Sequence, residues 1–286
     1  MFADGWTDEL KRDKDGNLVR VVAEKQGDKW VIKELAEHAA WLFGSDNANV
    51  SWNGALQFSE AKLLAFPIRS AKGSFAWITC PLMLQRAARD GVIAGIKPDG
   101  KPDTDYVPAK EPEDGEAIWS GTTLDIGGKL VLEEYTFTKA KNGQADAPLP
   151  PKLAGALSKL LEGDVVWSEI SSRLVILSNG MMSFFAKSAC EVAQHVRIND
   201  DTGTAAGGAL FNQENVPSET LFYAVLNCSA ERSAQKKDKP RTPEDAAAVF
   251  DAKLKACGRV FQFGGDASTG LGYCTVNLSD KKEEAK

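Results

Sequence analysis

The order of local patterns along this chain predicts an α+β fold built from ferredoxin-like or RRM-like modules, with a hairpin and loops inserted. Three observations predict it. Short apolar strands are interleaved with amphipathic helices over most of the 286 residues. The stretch from Thr242 to Leu278 reads helix, strand, glycine loop, strand, which is one such module. No segment repeats another at a fixed period, so nothing points to a solenoid or propeller.

Residues 1–16 are mostly charged, and no buried strand precedes the first helix, so a first strand is expected to be missing upstream of Met1. Residues 18–23 and 29–32 read as strands across the turn Gln26-Gly27-Asp28. A helix follows with Leu35, Ala36, Ala39, Leu42 and Phe43 on one face and Gly44 as its stop. Residues 55–58 and 62–68 read as strands. The polar, basic connection Arg69-Ser70-Ala71-Lys72-Gly73 leads to the apolar run 74–81 and a helix over 82–89, with Thr79 as the expected cap and Pro81 near its start.

Residues 94–121 are rich in Pro, Asp, Glu and Lys without periodicity and read as an exposed insertion. A strand over 130–138, a proline-rich loop over 145–152, an amphipathic helix stopped by Gly163, a buried strand over 174–177 and a helix over 181–189 follow. Residues 195–212 read as a glycine-tipped hairpin carrying Arg197. After a strand over 221–227, residues 229–241 form a charged, lysine-rich linker. Thr242 and Asp245 then start a helix with Pro243 in its first position and Gly258 after its end, and strands over 260–263 and 273–278 flank the glycine loop. The whole is expected to be one domain, 1–286.

Composition narrows the function. Forty acidic against thirty-four basic residues give a net charge of -6, which argues against indiscriminate nucleic-acid binding but leaves room for a local basic track. The five cysteines are scattered without a CxxC pair and there are only two histidines, so no zinc site is indicated and a reducing compartment is expected. No apolar run reaches membrane-spanning length. A soluble, cytoplasmic protein is expected, with no membrane partner.

Two stretches carry candidate binding chemistry. The loop Gly264-Gly265-Asp266-Ala267-Ser268-Thr269-Gly270-Leu271-Gly272 has four glycines in nine residues, and residues without a Cβ let a phosphate or another backbone approach the amides. It has neither the order of a dinucleotide fingerprint nor the Gly-Lys-Ser/Thr of a P-loop. Upstream, Arg69 and Lys72 flank Gly73 just before Phe75 and Trp77, a place to hold a phosphate and stack a base, although both aromatics also fit alternate core positions.

Residues 42–44, then 54–70 (Gly54-Ala55-Leu56-Gln57-Phe58 through Pro67-Ile68-Arg69-Ser70), then Lys72-Gly73-Ser74-Phe75-Ala76-Trp77-Ile78-Thr79-Cys80-Pro81 resemble the RAMP-superfamily backbone proteins of type III-B CRISPR effector complexes, the fourth Cmr subunit family. The loop Gly264-Gly265 to Gly270-Leu271-Gly272 is similar to that superfamily's glycine-rich signature, and 208–223 to the stretch before its penultimate strand. The resemblance implies a RAMP fold whose copies line a guide RNA (crRNA) alongside other Cmr subunits. It also implies a β-hairpin thumb, matched here to 195–212, that displaces a base at intervals, and metal-dependent cleavage of single-stranded target RNA in antiviral defence, with magnesium as the implied ion. Arg69, Lys72, Gly73, Arg197, Gly264, Gly265, Gly270 and Gly272 are the RNA-binding candidates. The family's catalytic aspartate and its Ser-Lys-Gly segment would precede Met1, and neither Asp4 nor Asp8 has the matching context, so the catalytic residue is unknown and the enzyme assignment is left open. Asn212, Gln213, Glu214 and Asn215 replace the acidic and aromatic residues that the family places after its thumb. A non-catalytic RNA-binding scaffold and an unrelated nucleotide-binding α/β protein are the alternatives.

Overall fold

In the computed structural model, which describes residues 6–232 and 240–279, the chain divides into two packing units where one domain was expected. One is 61–223; the other joins 6–60 to 224–279.

The 61–223 unit is organised by strands that bury both faces. Along Ser74–Thr79 and Leu174–Ile176, successive side chains alternate between two apolar clusters, as the period of a strand requires. Seven strands pair in the order Leu221–Tyr223, Lys62–Ser70, Ser74–Thr79, Leu174–Ile176, Glu116–Trp119, Tyr135–Lys139, Lys129–Leu132. A further pairing of Ser70 with Leu132 closes the last six into a ring. Phe66, Ile78, Trp119, Leu130, Phe137 and Val175 come from its six strands and share one cluster with Met182 and Phe185 of the helix Asn179–Ser188. Trp77, Ile118, Leu174 and Ile176 face the other cluster, where the helices Pro81–Arg89 and Leu153–Ser158 supply Leu84, Ala87, Leu153 and Leu157.

Several local expectations change here. Residues 116–119 of the stretch read as an exposed insertion are a central strand, with Ala117, Ile118 and Trp119 at 0–3% exposure, and Val107 is buried as well. The expected strand 130–138 is a hairpin that turns at Glu133, whose φ of 49° lies in the left-handed region. Thr79 ends a strand and is fully buried, so it does not cap the next helix. Asn179 instead accepts from the Leu82 amide with its side-chain oxygen at 3.0 Å. The expected strand 221–227 breaks in two. Leu221–Tyr223 joins the ring, while Leu226–Cys228 pairs with Leu56–Phe58 in the other unit.

That second unit is built on two helices. Glu37–Phe43 ends at Gly44, and Pro243–Ala256 starts with a complete capping box in which Thr242 and Asp245 each accept the other's amide. Gly54 lies against the carbonyl end of the first helix so closely that a Cβ there would collide with the Leu42 carbonyl, which is why a glycine stands at this position. Trp6 stacks on Phe250 with rings 6.3 Å apart, and Glu9 caps the first helix by accepting from the His38 and Ala39 amides at 2.9 and 3.2 Å. The charged opening of the chain therefore holds a core residue and a helix cap. Of the 229–241 linker, residues 233–239 lie outside the described residues, as do Met1 to Gly5, including Asp4.

One ionic network ties the ring together. Lys62 Nζ donates to Asp90 Oδ2 at 2.6 Å, the Tyr223 hydroxyl donates to the same oxygen at 2.9 Å, and Arg89 Nε donates to Oδ1 at 3.1 Å. Asp90 closes the C-terminus of Pro81–Arg89, so it fastens a helix end to two strands. The Lys62 ammonium, ahead of the Tyr223 and Arg89 bonds, lowers the Asp90 carboxyl to about 2. Burial and then Asp90 push the Tyr223 phenol up to about 12. A carboxyl whose pKa is lower in the folded chain stabilises above its ordinary value of 3.8 and loses that contribution as pH falls towards 2. Denaturant unfolding of the wild type should therefore show a stability loss between pH 4 and pH 2 that Asp90→Asn reduces; identical pH profiles for both would show that Asp90 is not coupled to folding.

Candidate nucleic-acid interface

The candidates named from the sequence fall on three elements. Arg69, Lys72 and Gly73 sit on the turn joining Lys62–Ser70 to Ser74–Thr79, Arg197 on a second hairpin of the same unit, and Gly264, Gly265, Gly270 and Gly272 in the loop of the other unit.

The first turn is held tightly by its own surroundings. Arg69 and Ser70 belong to the strand, and the connection shortens to Ala71-Lys72-Gly73. Gly73 has φ 80°, and a Cβ there would meet Leu124, Thr123 and Arg173 at 3.2–3.3 Å. Lys72 Nζ donates to the Thr122 and Asp125 carbonyls at 2.7 and 2.8 Å. Arg69 forms a two-bond ion pair with Glu133, which holds its pKa above the ordinary value. Both cations therefore have intramolecular partners, with Arg69 beside two successive glutamates, Glu133 and Glu134. Trp77 is fully buried and donates its indole N–H to the Glu219 carbonyl at 2.9 Å, so it is not a base-stacking surface. Phe75 lies under the Arg173 guanidinium, 4.9 Å from the ring centre.

The second hairpin has a different character. Glu191–Ile198 pairs antiparallel with Ala205–Asn215, extending the predicted 195–212 at both ends. Asn199 shapes the tip by accepting the Asp201 and Thr202 amides on its side chain at 2.9 and 3.2 Å, and Gly203 turns with φ 65°. Val192, Val196, Ile198, Leu210 and Phe211 are all more than half exposed, so no core holds this ribbon. Strand alternation places Val196 and Leu210 on one face and His195 and Phe211 on the other. His195 stacks on Phe211 with rings 5.0 Å apart and 17° from parallel. The register shifts between Val196 and Ile198, which puts Arg197 at the irregularity, exposed and without an ion pair among the described residues. The His195–Phe211 pair was not among the sequence candidates, although the hairpin register places the two opposite one another.

The glycine loop joins Val260–Gln262 to Tyr273–Thr275. Its inner side is lined by carbonyls. Gln262 Nε2 donates to those of Gly264, Gly265 and Leu271 at 3.2, 3.0 and 3.3 Å, so one side chain gathers the loop from within. Asp266 adopts φ 59°, and the carbonyls of Asp266 and Ala267 occupy the Thr269, Gly270 and Leu271 amides. Among the described residues nothing accepts from the amides of Gly264, Gly265, Ala267 and Ser268, all of them exposed. Of the four glycines, Gly264, Gly270 and Gly272 have φ of 80°, 84° and 78°, while Gly265 has ordinary backbone geometry and open space where a Cβ would go. Only at Gly272 would a Cβ strike the backbone, at the Phe263 carbonyl.

Among the described residues no group of three or more His, Cys, Asp or Glu side chains is placed to hold a metal ion. No described helix is long and apolar enough to cross a membrane.

Comparison with known proteins gives the lineage. The chain is 28% identical over 228 residues to the CRISPR system Cmr endoribonuclease Cmr4 of Pyrococcus furiosus, covering 79% of this chain and 70% of the relative. Among solved structures, it is similar to oligomeric Cmr4 from Pyrococcus furiosus, with TM-score 0.54, 24% identity, and 83% and 75% of the two chains covered. It is also similar to a chain of a type III-B Cmr-beta complex bound to cognate target RNA, with TM-score 0.54, 18% identity, and 83% and 74% covered. The RAMP superfamily model matches residues 6–275, nearly the whole described chain, and this chain belongs to the RAMP superfamily.

Proposed function

We propose that this chain is a guide-RNA-binding backbone subunit of a type III-B CRISPR effector, assembled with further copies of itself and with other Cmr subunits in the cytoplasm. The observation that carries the reading is the coreless hairpin Glu191–Ile198/Ala205–Asn215, which exposes Phe211, stacked on a half-buried His195, and an Arg197 that has no ion pair among the described residues. Such a ribbon can enter a gap between bases. An aromatic face replaces lost base stacking and a cation meets the adjacent phosphate. The proposed thumb is therefore this whole hairpin, with Arg197 near its tip.

The exposed amides of the 264–272 loop are proposed as a second, backbone contact, and Gly73 with Lys72 as a third. Arg69 contributes only if it leaves Glu133, which makes it the weakest of the basic candidates. Magnesium-dependent cleavage of target RNA remains a proposal drawn from the family, with no catalytic residue assigned in this chain; RNA held for assembly alone is the scaffold reading. An assembled complex that binds target RNA but leaves it intact with magnesium present would favour the scaffold.

Two outcomes test the interface. In filter binding to single-stranded RNA across a salt series, Arg197→Ala should weaken binding and reduce the slope of log K against log salt by about one, because one phosphate contact is lost. Phe211→Ala should lose about 1–3 kcal/mol of binding with an unchanged circular dichroism spectrum. Wild-type affinity in both variants would remove the hairpin from the interface. In the loop, Gly272→Ala should lower the melting temperature and impair RNA binding together, whereas Gly265→Ala should leave the melting temperature unchanged. Equal melting temperatures for all three proteins would contradict the close approach at Phe263.

A further inference from the structure

A cleft of about 710 Å³ opens in the 61–223 unit at the base of the hairpin, and its chemistry is opposite to that of an RNA track. Its floor includes Pro67, Ile68, Tyr135 and Phe184. Glu133, Glu134, Glu191 and Glu219 are among its lining residues, where Arg69, paired with Glu133, is the one basic residue. A phosphate chain entering here would be repelled, while a side chain with an apolar stem and a cationic head would meet aromatic rings below and carboxylates at the rim.

The same cleft exposes sheet edge. Ala65 pairs with Leu221 and Ser70 with Leu132, but between these points Phe66–Arg69 has Ser74–Thr79 as its one strand partner among the described residues, with a single further bond at the Arg69 carbonyl. The Arg69 carbonyl accepts the Glu133 amide on the open side, so by strand alternation the Pro67 carbonyl and the Arg69 N–H face that side too. Those two groups match the N–H and C=O of one residue in an incoming strand. The gap is four residues, about 13 Å at roughly 3.3 Å per residue.

We propose that this cleft docks an extended, basic segment of a partner protein, which adds to the Phe66–Arg69 edge and places Lys or Arg side chains among Glu134, Glu191 and Glu219. Charge complementarity selects this occupant over RNA. The site is a protein–protein face, and it does not rest on the RNA reading of the hairpin above it.

The test uses the full chain, isotopically labelled, titrated with a short acetylated peptide alternating valine and arginine, and separately with one alternating valine and glutamate. The basic peptide should cause saturable shifts at Ile68, Phe184 and Val192, and Glu134→Lys/Glu191→Lys should weaken it about tenfold or more. Arg197→Ala should bind the peptide as wild type does, so that loss of RNA binding in that variant reports on the hairpin alone. No saturable shift with the basic peptide, equal shifts with the acidic one, or competition by single-stranded RNA would overturn the proposal. Loss of self-association of the chain in the Glu134→Lys/Glu191→Lys variant would overturn it in favour of a second copy as the occupant.

Discussion

The bridge between Ser70 and Leu132 closes six strands into a ring, and that closure determines what the rest of the 61–223 unit can display. A strand in an open sheet shows an unpaired row of amides and carbonyls at its rim, which other chains can pair with indiscriminately. Closing the ring removes that rim from its six strands except where Lys62–Ser70 passes from one neighbour to the other, and leaves the outer edge of Leu221–Tyr223, which pairs only with Lys62–Ser70. The remaining four-residue interval contains Pro67, which has no N–H to offer, so even this opening is narrowed to a carbonyl and an amide. What projects beyond the ring is then the hairpin 191–215, whose two strands pair only with each other.

A ribbon without a core is expensive to keep ordered, since fixing each residue costs on the order of 1–2 kcal/mol of backbone entropy against little buried apolar area. Cross-strand pairs offset part of that. His195 on Phe211 and Val196 opposite Leu210 are such pairs, and Asn199 and Gly203 set the turn. The apolar residues stay exposed, a state that a monomer gains nothing from and that a partner could relieve. The net charge of -6 fits this division of labour. Many cations of the body are absorbed by intramolecular partners, such as Lys62 by Asp90, Lys72 by two carbonyls and Arg173 by Glu169, whereas Arg197, like Lys25, Lys97 and Lys187, has no ion pair among the described residues.

Where the determinants were local, the sequence was legible. The capping box at Thr242, the stop at Gly44, and the hairpin marked by Asn199-Asp200-Asp201-Thr202-Gly203 are each decided by residues within a few positions of one another. What was not legible depends on distant partners. Glu9 caps a helix 29 residues away, Asn179 caps another from 97 residues away, and Trp6 is core because distant residues, Phe43 and Phe250 among them, pack against it. The strand Glu116–Trp119 was hidden because the polar residues before it mask an apolar run of only three residues, 117–119, and 221–227 was read as continuous because nothing in its composition shows that its halves pair with different strands. For the interface, glycine count identified the 264–272 loop but not its internal organisation. That comes from Gln262, an ordinary strand residue whose amide reaches four carbonyls, those of Phe263, Gly264, Gly265 and Leu271.

Glu219 shows how the ring and the cleft depend on one another. Its backbone adopts φ 68°, a conformation that costs a residue with a Cβ on the order of 1 kcal/mol or more, and its carbonyl accepts the Trp77 indole N–H. Trp77 is fully buried and would otherwise leave that donor unsatisfied, a penalty of about 1–3 kcal/mol, so the bond to Glu219 offsets the strain it requires. Glu219 also lines the cleft, and desolvation, followed by Asp164, raises its carboxyl pKa. A carboxylate destabilised in this way is stabilised again when a cation comes to it. On the docking reading, Glu219 thereby joins a core packing requirement, the bond to Trp77, to the chemistry of the cleft it lines.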